Sequence, residues 1–235
     1  MTKYYNITGL TVAMDSFGRT AKQAEQYLTE PAKPDLIVSS DWQNLKQSQP
    51  HLSKDDCEYI STGVSFYNQL LNFDGMLLHA SAVMLDDWAY LFSAPSGTGK
   101  STHTTLWRKV FGEDRALILN DDKPALRFEN GRFYAYGTPW SGKTDMNINR
   151  RVPLAGICML GRGERNEIEP FTGADAVHAL LEQTIRPKNA AKTVKLLELV
   201  DKLFAQVPVW KMKCNMDPEA ARVSYEAMSA KRKEI

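Results

Sequence analysis

The segment Ala94–Ser101, APSGTGKS, follows the pattern G-x-x-x-x-G-K-[ST], with alanine at the first glycine position. Small residues in such a loop let successive backbone N–H groups converge on phosphate oxygens at a helix N-terminus. Lys100 would reach the β- and γ-phosphates of a nucleotide, and the Ser101 hydroxyl would join the ligands of Mg²⁺. The residues predicted to bind the nucleotide are Ser96, Gly97, Thr98, Gly99, Lys100, Ser101 and Thr102.

A glycine-rich turn that only caps a helix would share part of this pattern. Here a β-like run precedes the loop, and Leu106, Val110 and Phe111 recur after it at helical spacing. An acidic strand end then follows about 20 residues after the loop. This order of strand, loop, helix and acids favours nucleotide binding.

Two adjacent acids end the apolar run 116–122, ALILNDD. The run is typical of a buried central strand whose carboxyl end opens on a site. Neighbouring strand residues point to opposite faces, so Asp121 and Asp122 can take different places in that site. Phosphoryl transfer needs a metal to offset charge and a carboxylate to position or deprotonate the acceptor. The alternative is a solvated turn after the strand.

His79 begins the apolar segment HASAV, on the strand predicted to precede a hairpin turn at Asp86 and Asp87. A lone histidine in an apolar strand is more often a hydrogen-bonded core residue than a ligand. Its position alone therefore does not assign His79 to a site.

The elements that would carry these residues combine hairpins with amphipathic helices. Strands are predicted within 3–14, 34–40, 76–94, 125–137, 152–160 and 207–214, and helices within 54–72, 100–111, 174–186, 194–204 and from Asp217 onwards. We predict an α/β fold of α+β character, with a mixed sheet, antiparallel hairpins and flanking helices. Residues 1–50 would form a small strand-rich layer against a larger domain, residues 51–235, as one compact unit.

Composition excludes several classes of partner. The chain has 235 residues, 43% of them hydrophobic, and a net charge of +1, so no global field attracts nucleic acid or an anionic membrane. No apolar run approaches the length of a signal peptide core or a membrane span. We expect a cytoplasmic protein without nucleic-acid or membrane partners.

The segment 137–143, GTPWSGK, follows the acidic strand and has two interpretations. Its glycines, Trp140 and Lys143 suit a shaped loop at the mouth of a site. The alternative is an ordinary connector whose tryptophan fills the core. Both stay open at the sequence level.

The order LLHASAV, hairpin, SAPSGTGKST, strand, LNDD resembles the core shared by HPr kinase/phosphorylase and ATP-dependent phosphoenolpyruvate carboxykinase. In that family a histidine-bearing strand precedes the P-loop and an Asp-Asp pair follows it. The resemblance covers residues 75–145 well and the rest of the chain more loosely. It implies a carboxykinase-like P-loop core that uses ATP, or another nucleoside triphosphate, with Mg²⁺.

The resemblance also implies roles for individual residues. Lys100 would act on the phosphates and Ser101 on Mg²⁺, and His79 would assist at the metal or the γ-phosphate. Asp121 would be the general base, with Asp122 contributing to the metal site. The roles of the two acids are interchangeable, and both are candidate metal ligands.

A complete carboxykinase is more than twice the length of this sequence, and HPr kinase/phosphorylase has a different N-terminal domain. It is similar to small stand-alone HPr-kinase-like proteins, for which the expected activity is transfer of a phosphoryl group to a hydroxyl, in particular that of a serine. The acceptor would be a protein, a peptide or a small molecule. HPr kinase relatives assemble into oligomers, so the resemblance also implies that a homo-oligomer is possible. The alternatives are a non-catalytic nucleotide sensor or scaffold and a phosphoenolpyruvate-forming enzyme.

Overall fold

The first part of the chain forms a small sheet with short helices. The computed structural model describes residues 2–230. In chain order this layer comprises β1 (Lys3–Ile7), β2 (Leu10–Met14), α1 (Gly18–Gln23), a 3₁₀ turn (Glu25–Tyr27), β3 (Leu36–Val38) and α2 (Trp42–Ser48). Strands β1 and β2 are antiparallel, and β3 pairs in parallel with β2. Thr8 and Gly9 both have positive φ angles, of 58° and 76°, as a two-residue hairpin turn with matching twist requires.

Helix α3 (Lys54–Leu70) lies between this layer and the rest of the molecule. It begins at Ser53, whose Oγ accepts a hydrogen bond from the backbone N–H of Asp56 at 3.0 Å. This is a typical N-cap. The carboxylates of Asp55 and Asp56 in the first turn also interact favourably with the positive end of the helix dipole. The buried face of α3 packs against the N-terminal layer and Trp140, so the helix joins two parts of the core.

The remaining strands form one mixed sheet with flanking helices. Its elements are β4 (Gly75–Leu77), β5 (Ala80–Leu85), β6 (Trp88–Ser93), α4 (Lys100–Phe111), β7 (Leu117–Asn120), β8 (Ala125–Glu129), β9 (Arg132–Tyr136), β10 (Arg151–Arg162), β11 (Glu167–Pro170), α5 (Gly173–Glu182), α6 (Ala190–Gln206), β12 (Val209–Cys214) and α7 (Glu219–Ala230). The predicted mixed α/β fold with antiparallel hairpins is confirmed.

The sheet has the strand order β4-β8-β9-β10-β6-β5-β7. Strand β10 pairs with β9 at its start, with β6 along its middle and with β12 along its second half. The hairpins β5–β6 and β8–β9 turn at Asp86-Asp87 and Asn130-Gly131, all four with positive φ angles. The hairpin turn predicted at Asp86 and Asp87 is therefore confirmed.

The prediction that 116–122 forms a central strand is wrong. Strand β7 is the last strand in the order, and it pairs with β5 alone among the named strands of residues 2–230. It is still buried, because the segment after β9 covers its outer edge. The N–H of Ile148 donates to the carbonyl of Leu119 at 3.1 Å, and Asn120 forms a bridge with Asn147. The apolar run thus reports burial and does not distinguish a covered edge from the centre.

Other boundaries also differ from the predictions. Helix α5 ends at Glu182 and not at residue 186, and Thr172 occupies its N-cap without a side-chain hydrogen bond. His79 lies between β4 and β5 and not within a strand. Helices α1 and α2 and strand β11 were not predicted, because each is too short to show a periodic pattern.

The core consists of three clusters of buried side chains. One lies between the sheet and helices α5 and α6, the second between the sheet and helices α4 and α7, and the third between α3 and the N-terminal layer. None of the helices within residues 2–230 combines the length and apolar character needed to cross a membrane.

Candidate functional site

The glycine-rich loop joins the end of β6 to the start of α4. Gly97 and Gly99 have φ angles of +78° and +123°, and a Cβ atom at either would meet no atom within 4 Å. The backbone needs glycine at both positions for its conformation and faces open space there. Ala94 at the first consensus position has no positive φ and is buried, which explains why alanine is accepted. The N-terminus of the 12-residue helix α4 points into this space and favours an anion.

Lys100 lies between the loop and the acids. Its ammonium donates to the carbonyl of Ala94 at 2.9 Å, and the side chain is largely buried. Burial lowers the pKa of Lys100, and the charges of Asp122 and Asp121 counteract part of this effect. The lysine side chain is therefore held next to the glycine loop by its contact with Ala94.

Asp121 is fixed to the helix that follows the loop. The Ser81 hydroxyl donates to Asp121 Oδ1 at 2.6 Å and lies 2.8 Å from the Thr104 hydroxyl of α4. All three side chains are buried. This chain of hydrogen bonds sets the distance between the end of β7 and helix α4, and Ser81 was missed by the sequence prediction.

Asp122 has donors on both carboxylate oxygens. Its Oδ1 lies 3.3 Å from His79 Nε2, while its Oδ2 accepts a 2.9 Å hydrogen bond from the Tyr59 hydroxyl and also contacts Lys123 Nζ. Burial by itself raises the pKa of Asp122, but the hydrogen bond from His79 and the positive charge of Lys123 outweigh it and hold the pKa well below its usual range. Asp122 is therefore ionised throughout the physiological pH range.

His79 is positioned through both ring nitrogens. Its Nδ1 lies 3.1 Å from Gln183 Oε1, opposite the contact of Nε2 with Asp122. Its backbone N–H donates to the carbonyl of Gln183 at 2.8 Å. The residue that follows α5 thus fixes both the backbone and the ring of His79, so the structure places this histidine beside the acids.

Tyr59 lies within the helix predicted over 54–72, and its hydroxyl reaches the acids. Besides donating to Asp122, the hydroxyl accepts a 2.8 Å hydrogen bond from the Gly142 N–H. Burial and then the charge of Asp122 raise the pKa of Tyr59, so the side chain is a neutral phenol. The Arg19 guanidinium lies 4.1 Å from the centre of the ring.

Different parts of the segment 137–143 agree with its two sequence interpretations. Trp140 is fully buried and stacks on Phe66 at 4.7 Å between ring centres, so it fills the core. The residues that follow it, Ser141 to Thr144, line an open cleft. Gly142 has a φ of +73°, and a Cβ there would lie 3.0 Å from the Cβ of Asp122.

The cleft has a volume of about 590 Å³. One wall of the cleft, the glycine wall, consists of residues 96, 97 and 99–102, and another, the tyrosine wall, consists of Arg19, Tyr59 and residues 141–144. The predicted site residues that line the cleft are His79, Ser96, Gly97, Gly99, Lys100, Ser101, Thr102, Asp121 and Asp122. Thr98 lies on the other side of the loop and lines an adjoining cavity.

The adjoining cavity, of about 470 Å³, lies between the glycine loop and the ends of β10 and β12. Arg162 donates to the carbonyls of Gly97 and Thr98, at 2.7 and 3.5 Å. His103 also lines the cavity and is 3.0 Å from the Ser224 hydroxyl. Burial lowers the pKa of His103 to about 4, so the histidine is neutral at pH 7. No pattern in the sequence predicts this cavity, because its parts are far apart in the chain.

Ser101, Asp121 and Asp122, the predicted metal ligands, all line the cleft. Within residues 2–230 there is no group of three or more His, Cys, Asp or Glu that would hold a metal ion by itself. Mg²⁺ is commonly bound by one or two carboxylates together with substrate phosphates. The oxygen donors present fit that mode of binding.

A family model described as "ScmC: SynChlorMet cassette protein ScmC" matches residues 53–217, which is more than half of the chain. The chain belongs to this family. The matched family is distinct from the HPr kinase family that the motifs resemble.

Curated proteins give no match to the chain. Among solved structures, "Structure of the Hpr(Ser) kinase/phosphatase from Coxiella burnetii" is similar, with 11% identity and a TM-score of 0.39. The match covers 67% of this chain and 97% of that chain. The family match spans the whole cleft except Arg19, and the roles of individual residues rest on the geometry described above.

Proposed function

We propose that the protein binds ATP with Mg²⁺ and transfers the γ-phosphoryl group to a hydroxyl of a protein, peptide or small-molecule acceptor. The observation that carries this proposal is one cleft that holds a glycine loop, a buried lysine and two carboxylates. A phosphate site alone would need only the loop and Lys100. Two acids opposite the loop add the groups that a transfer reaction requires.

The two cavities on either side of the loop suit the two halves of a nucleotide. The phosphates would lie on the glycine wall, where the backbone N–H groups and Lys100 offer positive charge. The nucleoside would occupy the adjoining cavity, which is within the range of about 300 to 1,000 Å³ typical of small-molecule sites. Leu106, Leu160 and Met216 give that cavity apolar lining.

The metal would be held by the Ser101 hydroxyl and a carboxylate, with Asp122 as the favoured ligand because it is ionised. When bound, Mg²⁺ offsets the charge of the phosphates. Tyr59 and Lys123 hold one oxygen of Asp122, while its other oxygen lies beside His79. His79 would thereby orient the carboxylate.

Asp121 is the favoured general base. Among the described residues its side chain accepts a side-chain hydrogen bond from Ser81 alone, which leaves one carboxylate oxygen for the acceptor. In the proposed reaction the acceptor oxygen forms a bond to the γ-phosphorus, the bond from that phosphorus to the β–γ bridging oxygen breaks, and ADP leaves. The hydroxyl proton passes to Asp121.

The acceptor class stays a proposal. Because the family description names a cassette protein, the products of neighbouring genes are the first acceptors to test. The protein would be incubated with labelled ATP, Mg²⁺ and each product, and transfer of the label would be measured.

The decisive variant is Lys100→Ala. We expect it to weaken binding of both ATP and inorganic tripolyphosphate at least tenfold and to lower turnover by about 100-fold or more, because it removes a cation from the phosphate site. Lys109→Ala is the matched control, since Lys109 is an exposed lysine on the same helix. Unchanged ATP binding and turnover in Lys100→Ala would contradict the proposal. Tight ATP binding by the wild-type protein, without transfer or hydrolysis, would instead favour a nucleotide sensor.

A further inference from the structure

Tyr59 is the contact through which the tyrosine wall reaches Asp122. We propose that Tyr59 is a positioning residue that couples the segment 141–144 to the Asp122 carboxylate. The effect of Tyr59 on turnover rests on the proposed function, in which Asp122 acts in phosphoryl transfer. Nothing in the motif pattern includes this residue, which lies on α3, far from the loop in sequence.

A phenol hydroxyl has one hydrogen-bond donor and two acceptor positions. The donor is directed at Asp122 Oδ2 at 2.9 Å. One acceptor position receives the Gly142 N–H at 2.8 Å, and Lys123 Nζ lies 3.4 Å away. The hydroxyl therefore joins the backbone of the segment to one oxygen of the carboxylate.

Two cations contact the ring of Tyr59. The Arg19 guanidinium lies 4.1 Å from the ring centre and Lys123 Nζ lies 4.7 Å from it. Arg19 also forms a 2.8 Å ion pair with Asp56, one turn earlier on α3. Cations over an aromatic face stabilise its position, so the phenol oxygen has little freedom to leave Asp122.

The segment is tied to the N-terminal layer as well. Gln23 donates to the carbonyl of Gly142 at 2.7 Å, while the N–H of the same residue is bonded to Tyr59. Asn147 accepts a 2.7 Å hydrogen bond from Tyr27 and donates to the Ser141 hydroxyl at 2.9 Å. Any acceptor that shifts this segment therefore also shifts the phenol that orients Asp122.

We expect the Tyr59 hydroxyl to affect the rate of turnover and not the affinity for the nucleotide. The glycine wall binds phosphate through its own backbone and does not depend on Tyr59. Loss of the phenol hydroxyl should leave ATP binding unchanged while the carboxylate loses one of its donors. A hydrogen bond to a charged group is strong enough that we expect about a tenfold loss of turnover.

The test compares Tyr59→Phe with Tyr136→Phe. Tyr136 is also buried, and its hydroxyl donates to a carboxylate, Glu129, at 2.7 Å, so the control loses the same kind of bond elsewhere. We expect Tyr59→Phe to lower turnover about tenfold, with an unchanged ATP dissociation constant, and to speed amide hydrogen exchange in residues 141–144. The control should change none of these.

Equal effects of the two variants on exchange in residues 141–144, or a loss of ATP affinity that parallels the loss of turnover, would overturn the inference. Arg19→Ala provides a second variant that keeps the phenol, and it should change exchange in the same direction by a smaller factor. Because exchange is measured without substrate, it decides the inference even if the wild-type protein transfers no phosphate. A wild-type protein that transfers no phosphate would refute only the proposed function.

Discussion

The two walls of the cleft are built in different ways. The glycine wall comes from one short segment at the start of helix α4, residues 96, 97 and 99–102. The tyrosine wall brings together side chains and backbone from α1, α3 and the segment 141–144. The first is a property of local conformation, whereas the second exists only when separate parts of the core have packed.

This difference determines how each wall responds to substitution. Backbone donors are retained when side chains change, so the glycine wall is sensitive mainly at its glycines and at Lys100. The tyrosine wall depends on individual hydrogen bonds, and the loss of one partner leaves a buried polar group unsatisfied. The following predictions test that contrast, beginning with Asp121, which lines the same cleft.

The largest effect is expected for Asp121→Asn. The amide keeps the shape of the carboxylate but cannot accept a proton, and general base catalysis contributes about 10²- to 10⁴-fold. We expect the single-turnover rate to fall by about that factor while the ATP dissociation constant changes little. Asp87→Asn, at an exposed hairpin turn with a φ of 60°, is the matched control. Undiminished transfer by Asp121→Asn would remove Asp121 from the role of base.

A smaller effect concerns Glu58, which is fully buried on α3 and accepts a hydrogen bond from Thr20 of α1. Burial raises the pKa of Glu58 to about 7, although the hydrogen bond from Thr20 opposes this shift. The folded state therefore retains a proton that the unfolded state releases, and its stability should fall as pH rises from about 4.5 to about 7, by up to about 3 kcal/mol.

Urea unfolding at pH 5 and pH 8 measures this pH dependence. We expect Glu58→Gln to remove most of it, because the amide does not titrate. Glu113→Gln, a change at an exposed residue, should retain the wild-type dependence. A wild-type stability that does not fall between the two values of pH would show that Glu58 titrates normally.

The smallest effect is expected for Met216→Ala in the adjoining cavity. Met216 is largely exposed, and partial burial of its side chain by a nucleoside would be worth about 1 kcal/mol. We expect ATP affinity to fall about fivefold, with no change for inorganic tripolyphosphate, as measured by calorimetry. Met146→Ala, at another exposed methionine, is the control. Equal weakening of both ligands would place the nucleoside elsewhere.

The same contrast explains how far the sequence could predict the site. The loop, Lys100 and the two acids follow from spacing within short segments, and the cleft brings nearly all of them together. In the sequence, Tyr59 shows only the spacing of a buried helix face. A residue that merely fills the core shows the same spacing. Its role depends on Gly142, a neighbour more than 80 residues later, and spacing within one segment holds no information on such a contact.

The errors in the predicted fold also arise from contacts between distant parts of the chain. The composition of β7 indicates that it is buried, but its place at the end of the sheet depends on the segment that covers it. Helices α1 and α2 are stabilised by tertiary contacts and have no periodic pattern of their own. Long, patterned elements such as α3, α4 and α6 were therefore predicted better than short ones.

Strand β10 has a consequence for how the chain acquires its site during synthesis. Its partners lie both earlier in the chain, in β6 and β9, and later, in β12. A nascent chain that has reached β10 already contains the complete glycine loop, but the strand that borders the adjoining cavity, β12, emerges from the ribosome tens of residues later. Domains generally begin to fold from the N-terminal side as they are made, so the glycine wall should form before the adjoining cavity.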